Sequence, residues 1–182
     1  MRKQRINFRI SPILIVLGLG LIVRIILGFF GTLKLDQGTF IAWSANLSEN
    51  GFKDFYQGWS DYLPGYLYVL WFLGKIRGII PDVLLYKLPA ILADLATGFL
   101  IYKIVGKLKN SKWGLIASSL YIFNPAILAN STFWGQIDSI SSLFSLLSVF
   151  LLPITYPLSA IYFTLLHPLP PQTLKKFRRK CF

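Results

Sequence analysis

Apolar positions in this chain gather into long, nearly unbroken runs, and the runs are of membrane length. The first, Pro12 to Gly31, holds a single charged residue, Arg24. At ~1.5 Å per residue such a run spans a hydrocarbon core ~30 Å thick. Similar runs at residues 83–105, 113–130 and 140–166 predict three more spans, the last bent by Pro153 and Pro157. Runs this continuous exclude a β-barrel, whose strands alternate apolar and polar positions. The first run is too long for a signal peptide, and no small-residue cleavage site follows it. The expected fold class is therefore all-α, a polytopic membrane helical bundle of four transmembrane helices. A fifth span is left open at Tyr62–Ile80, which is shorter, rich in rings and carries Lys75 and Arg77.

Between the first and second spans lies an outer loop, residues 33–80, of a different character. It holds Asp36, Glu49, Asp54 and Asp61, four of the chain's seven acidic residues, interleaved with Phe40, Trp43, Phe55, Tyr56 and Trp59. Within it, Gln37 to Asn50 repeats Phe40, Trp43 and Leu47 at helical spacing. That pattern predicts a helix lying on the membrane with its ring face in lipid. Asp36 then falls at the helix start, just above the bilayer, where aspartate is also a favoured N-cap. Asp61, ahead of Tyr62, Pro64 and Gly65, reads equally as a turn and cap.

Charge orients these elements. The net charge of +12 is confined mostly to short clusters at run ends: Arg2, Lys3, Arg5 and Arg9; Lys103, Lys107, Lys109 and Lys112; Lys175, Lys176, Arg178, Arg179 and Lys180. This is the signature of cytoplasmic loops facing anionic lipid, not of nucleic-acid binding, for which no motif is present. Five spans would put two of these clusters outside. Four spans, with Tyr62–Ile80 lying along the outer interface, put both termini and all three clusters inside. The expected location is the cell membrane, multi-pass, with the N-terminus cytoplasmic.

Candidate chemistry narrows by elimination. His167 is the only histidine and Cys181 the only cysteine, so neither a metal cluster nor an intramolecular disulfide is suggested. There is no nucleophile elbow and no P-loop. What remains is carboxylate chemistry beside a membrane. A third polar stretch, Asn124-Pro-Ala-Ile-Leu-Ala-Asn-Ser-Thr-Phe-Trp-Gly-Gln-Ile-Asp138-Ser, sits at a membrane boundary, where unneeded polarity is costly. Arg24, inside the first run, is either functional or snorkels to the headgroups.

Taken in order, five pieces resemble the N-terminal module of the GT-C superfamily of integral-membrane glycosyltransferases. They are Arg24 in the first run; L-D-Q-G-T-F-I-A-W-S-A-N-L-S-E-N-G-F-K-D-F-Y; D-Y-L-P-G-Y-L-Y-V-L-W; K-L-P-A-I-L-A-D-L; and N-P-A-I-L-A-N-S-T-F-W-G-Q-I-D-S. The last is the most specific, and the likeness covers about Leu14 to Phe150. Such enzymes take a sugar, mannose-like hexoses included, from a polyprenyl or dolichyl phosphate. The resemblance implies interfacial helices within the outer loop and maps the catalytic base to Asp36. It places Asp61, Tyr62, Trp134, Gln136 and Asp138 along the site, against sugar or lipid phosphate. Arg24, Lys75 and Arg77 are candidates to stabilise the departing phosphate, with no pattern that chooses among them. The implied partners are a lipid-linked sugar donor and membrane lipid, with a glycan, lipid or protein acceptor. No cofactor is called for, and the need for a divalent metal is left open.

The likeness stops at about Leu152, and members of that family are generally longer. The expected organisation is a transmembrane module, residues 1–152, followed by a divergent end, 153–182, as in a truncated chain. Two other readings stand beside the glycosyltransferase. One is a non-catalytic membrane partner or pseudoenzyme. The other is a small transporter or flippase subunit, which would place Arg24, Lys87 and Asp94 face to face within the spans.

Overall fold

A computed structural model of the chain describes residues 11–31, 34–53, 55–58, 60, 62 and 64–151. Among these the chain is helical, with no strand. Helix α1 (Pro12–Phe30) opens on Pro12, whose missing N–H is harmless in a first turn. After it come α2 (Lys34–Asn50), a 3₁₀ turn (Phe55–Gln57), α3 (Pro64–Lys75), α4 (Asp82–Leu85), α5 (Leu88–Leu108) and α6 (Ser111–Ile122). Helix α7 (Pro125–Leu128) runs straight into a π-helical turn (Ala129–Trp134), and α8 (Asp138–Leu151) comes last. The chain divides into two compact units, residues 1–144 and 145–182. Of the second, the described residues 145–151 are helical. All the candidate site residues belong to the first.

Two stretches among the described residues are long and apolar enough to cross a membrane, Pro12–Phe30 and Asp82–Leu108, the latter being α4 and α5 with the turn between them. The run expected to span at 113–130 is not one helix. Pro125 disfavours helical geometry in the residue before it, and Asn124 takes φ −64°, ψ 123°. The Asn124 side chain then accepts the Ala126 N–H at 2.9 Å and starts a new helix. The helix before the break, α6, has 12 residues, a rise of ~18 Å. The run at 140–166 is seen only as α8; residues beyond 151 lie outside the described ones.

α1, α5 and α6 pack through small residues. Ile122 is fully buried because Gly20 of α1 and Gly98 of α5 leave a notch for it. A Cβ on either glycine would lie 2.4 Å or 2.6 Å from the Ile122 side chain. This is how apolar helices gain contact where hydrophobicity alone gives no drive. The same three helices share a polar lock: Arg24 and Asp94, both fully buried, form an ion pair at 3.3 Å.

α2 and α3 form a hairpin, and here one expectation fails. Phe40, Trp43 and Leu47 do not face lipid. They are buried in a cluster with Phe55 and with Tyr66, Leu67, Leu70 and Leu73 of α3. The reason is that α3 offers an apolar face of the same helical period, and ring edges fill the seam. Phe40 meets Tyr66 at 5.5 Å, and Trp43 meets Phe55 at 5.9 Å, both edge-on. Ser44 Oγ donates to the Leu70 carbonyl at 2.6 Å, across a closest approach that Gly74 makes possible. With 12 residues, α3 rises ~18 Å, well short of a ~30 Å core.

Candidate active site

The first wall of the site is built where α1 ends. A helix leaves its last carbonyls unpaired, and here Lys87, fully buried ahead of α5, supplies an ammonium to them. Its Nζ donates to the Gly28 carbonyl at 2.9 Å and to that of Gly31. The chain then turns into α2, with Asp36 in the first turn, where the helix dipole favours a carboxylate. The next residue fixes this start in place: Gln37 Nε2 donates to the carbonyls of Val83 at 3.0 Å and Asp82 at 3.3 Å.

The facing wall comes from the π-helical turn. Ser131 Oγ donates to the Ile127 carbonyl at 3.0 Å, and Thr132 Oγ1 to that of Leu128. Such widened turns are common at functional sites. Gly135 ends it at φ +81°, in the left-handed region that glycine enters without strain. The N–H groups of Gly135 and Gln136 both donate to the Asn130 carbonyl, at 2.9 Å and 3.1 Å. Trp134 and Gln136 leave this turn on either side of the glycine and converge on one acceptor. Trp134 Nε1 donates to Asp36 Oδ2 at 2.5 Å, and Gln136 Nε2 donates to the same oxygen at 2.7 Å. These lengths are at or below the short end of charge-assisted bonds. The partners lie about a hundred residues apart in the chain.

Asp36 is half-buried, at the edge of a cavity of about 270 Å³ lined by Leu35, Thr39, Phe40, Trp43, Tyr62 and Gln136 as well. Its volume is near the lower end of small-ligand sites, ~300 Å³. The walls are aromatic: Tyr62 packs edge-on against Phe40 at 5.6 Å and Trp43 at 5.5 Å. Behind them, burial and then the neighbouring Tyr62 and Tyr86 phenols push the Tyr66 hydroxyl well above its ordinary range, so it stays neutral. Both donors occupy Oδ2, and among the described residues Oδ1 receives no hydrogen bond. The result is an oriented carboxylate with one oxygen able to take a proton from a group in the cavity.

Of the residues singled out from sequence, the structure brings Asp36, Tyr62, Trp134 and Gln136 together. Asp138 is exposed and accepts from Asn130 Nδ2 at 3.4 Å; it does not line the cavity. Asp61 lies outside the described residues. Arg24 is placed elsewhere, and both substrate contact and snorkelling give way to a different role. Its Nε and Nη2 each lie 3.3 Å from Asp94 Oδ2, and Nη1 donates to the Gly20 carbonyl at 3.3 Å. Tyr121 completes the lock, donating to Asp94 Oδ1 at 3.4 Å. A guanidinium with these partners is committed to holding helices together. Lys75 is likewise engaged, donating to the Ser48 carbonyl at 2.7 Å. Arg77 pairs with Asp82 at 2.8 Å, and the hydrogen bond and charge of that carboxylate raise its guanidinium further above its ordinary value.

Sequence reasoning missed the cavity walls Phe40 and Trp43, whose rings it assigned to lipid, and the part played by Lys87 and Gly135. Among the described residues no group of three His, Cys, Asp or Glu side chains converges as a metal site would require. Compared with family models, with curated proteins and with solved structures, the chain matches none.

Proposed function

We propose that the chain is a membrane glycosyltransferase that moves a mannose-like hexose from a polyprenyl-phosphate carrier to an acceptor hydroxyl on the extracytoplasmic face. The observation that carries this reading is the Asp36 carboxylate, held through one oxygen by Trp134 and Gln136 at the mouth of a ring-lined cavity. The sequence likeness to lipid-phosphate-dependent glycosyltransferases supports it independently, since motif order alone maps the base to Asp36. In the topology that goes with it, four spans leave both termini inside and α2 and α3 lie at the outer interface. The third crossing is then made by α6, α7 and the π-helical turn together, since α6 by itself is as short as α3.

Chemically, Asp36 Oδ1 takes the proton of the acceptor O–H. The freed electron pair forms the new bond to the anomeric carbon while the bond from that carbon to the phosphate oxygen breaks. Its electrons leave with the polyprenyl phosphate, and the anomeric configuration inverts. General-base assistance of this kind is worth ~10²–10⁴-fold. Aromatic walls suit the apolar C–H faces of a sugar ring, and a lipid-borne donor requires a site at the interface. In this reading Asp61 and Tyr62 contact the donor.

The test uses the full chain in nanodiscs, polyprenyl-phosphate mannose and membrane-derived acceptors. Transfer by the wild type and at least ~10²-fold less by Asp36→Asn is the expected result. Equal transfer by both would refute Asp36 as the base. The buried Arg24–Asp94 pair gives the transporter reading an observation of its own. That reading predicts lipid-linked sugar crossing a sealed vesicle, kept in Asp36→Asn and lost in Arg24→Met protein whose helical circular dichroism matches the wild type.

A further inference from the structure

We propose that Lys87 is a positioning residue for Asp36, bracing at once the helix end that delivers the carboxylate and the turn that delivers its two donors. Two contacts on opposite sides of one side chain support this. The ammonium donates to the carbonyls of Gly28 and Gly31, which fixes the exit of α1 five residues before Asp36. The aliphatic stem lies along Gly135: a Cβ built there would come within 3.3 Å of Lys87 Cγ and 3.6 Å of Cε. Gly135 is the residue between the two donors, Trp134 and Gln136. Lys87 therefore touches both the exit of α1 and the glycine that lies between the two donors.

A fully buried lysine in a helical membrane chain is costly unless its donors are satisfied, and cheaper residues could fill the same space. An apolar side chain would pack on Gly135 and take the ammonium away from the Gly28 and Gly31 carbonyls. A shorter cation would reach neither well. Lysine meets both requirements because it joins a four-carbon stem to a compact three-donor head. Geometry of this kind matters at a reacting group, where a displacement of ~1 Å can cost ~10²-fold in rate. As a role in transfer the brace rests on the glycosyltransferase reading; as a contact that sets the clamp it does not.

The test reads the clamp directly. The chain has five tryptophans, so protein labelled with ¹⁵N-tryptophan in nanodiscs gives few indole N–H signals, and Trp134→Phe assigns the relevant one. In the wild type this proton is expected downfield, bonded to a carboxylate, and Asp36→Asn moves it upfield. Lys87→Met is expected to move it the same way, and Lys87→Arg to restore it. In the Asp36→Asn background, Lys87→Met should add no further shift. A lysine that merely stabilised the bundle would leave the signal in place.

A folded Lys87→Met protein whose Trp134 signal stays at the wild-type position would overturn the proposal. Where that variant does not fold, Lys87→Gln, which keeps part of the stem and removes the ammonium, decides alone: an unmoved Trp134 signal overturns the brace, and an upfield shift upholds it. The two readings fail separately. A wild type inactive in transfer whose signal responds to Lys87→Met upholds the brace and removes the glycosyltransferase. An active wild type with Lys87→Met unchanged in both signal and kcat removes only the brace.

Discussion

Removing either partner of the Arg24–Asp94 pair should destabilise the protein far more than removing both. Arg24 and Asp94 are each fully buried, between helices whose other faces are apolar. Two guanidinium nitrogens reach the same oxygen at 3.3 Å, and among the described residues the second carboxylate oxygen receives only the Tyr121 hydroxyl, at 3.4 Å. Arg24→Met leaves Asp94 with that one long bond. Asp94→Leu leaves the guanidinium with only the Gly20 carbonyl at 3.3 Å. Breaking a buried pair from one side costs about 3–5 kcal/mol, whereas apolar replacement of both partners is often nearly neutral. The double variant is therefore expected within ~1 kcal/mol of wild type and above both single variants. SDS-driven unfolding in bicelles, followed by helical circular dichroism, measures all four corners of the cycle. Single variants within ~0.5 kcal/mol of wild type, the scatter of ordinary surface changes, would refute the buried lock. So would a double variant as unstable as the sum of the two.

Other perturbations separate the walls of the cavity from its chemistry. On the glycosyltransferase reading, Gln136→Leu removes one of the two donors to Asp36 and should lower kcat by up to ~10²-fold, with KM for the lipid-linked donor little changed; steady-state kinetics in nanodiscs would show a rise in KM alone if Gln136 only bound substrate. Gly74→Ala places a Cβ 2.5 Å from the Ser44 carbonyl. It should spread the α2–α3 hairpin at about 1–3 kcal/mol, measured as an earlier melting of the near-UV signal from the buried rings. An unchanged melt would mean that the hairpin seam does not depend on that close approach.

Much of the fold was legible because long apolar runs read directly as helices, and α1 and α5 carry that pattern openly. The helix break at Asn124-Pro125 was also written in the sequence, as a capping residue followed by proline, but a hydropathy window averages across it. The ring face of α2 was misread for a physical reason. Phe40, Trp43 and Leu47 recur at helical spacing whether they meet lipid or another helix, and only the matching face of α3 decides between the two. Asp36, Trp134 and Gln136 could be nominated from motif likeness, yet their contact spans a hundred residues and depends on a π-helical turn that no periodicity announces. Lys87 was named only as an ionisable residue within a span, as a transporter would need. Nothing local in the sequence reveals that its ammonium caps the end of a different helix.

The distribution of carboxylates explains why Asp36 stands apart. Asp94 is paired with Arg24 and Asp82 with Arg77, so each has its charge met by a guanidinium. Asp138 is exposed to solvent beside Asn130. Asp36 alone among these lines the ring-walled cavity, and both of its side-chain donors, an indole and an amide, are neutral. A cationic partner would orient a carboxylate equally well, but it would also meet its charge, as Arg24 and Arg77 do for their partners. Neutral donors on a single oxygen fix direction while adding no formal positive charge. The Arg24–Asp94 pair keeps three helices in register, and the Trp134–Gln136 clamp aims an unpaired carboxylate. The first arrangement meets charge with charge inside the bundle, and the second orients a half-buried carboxylate without doing so.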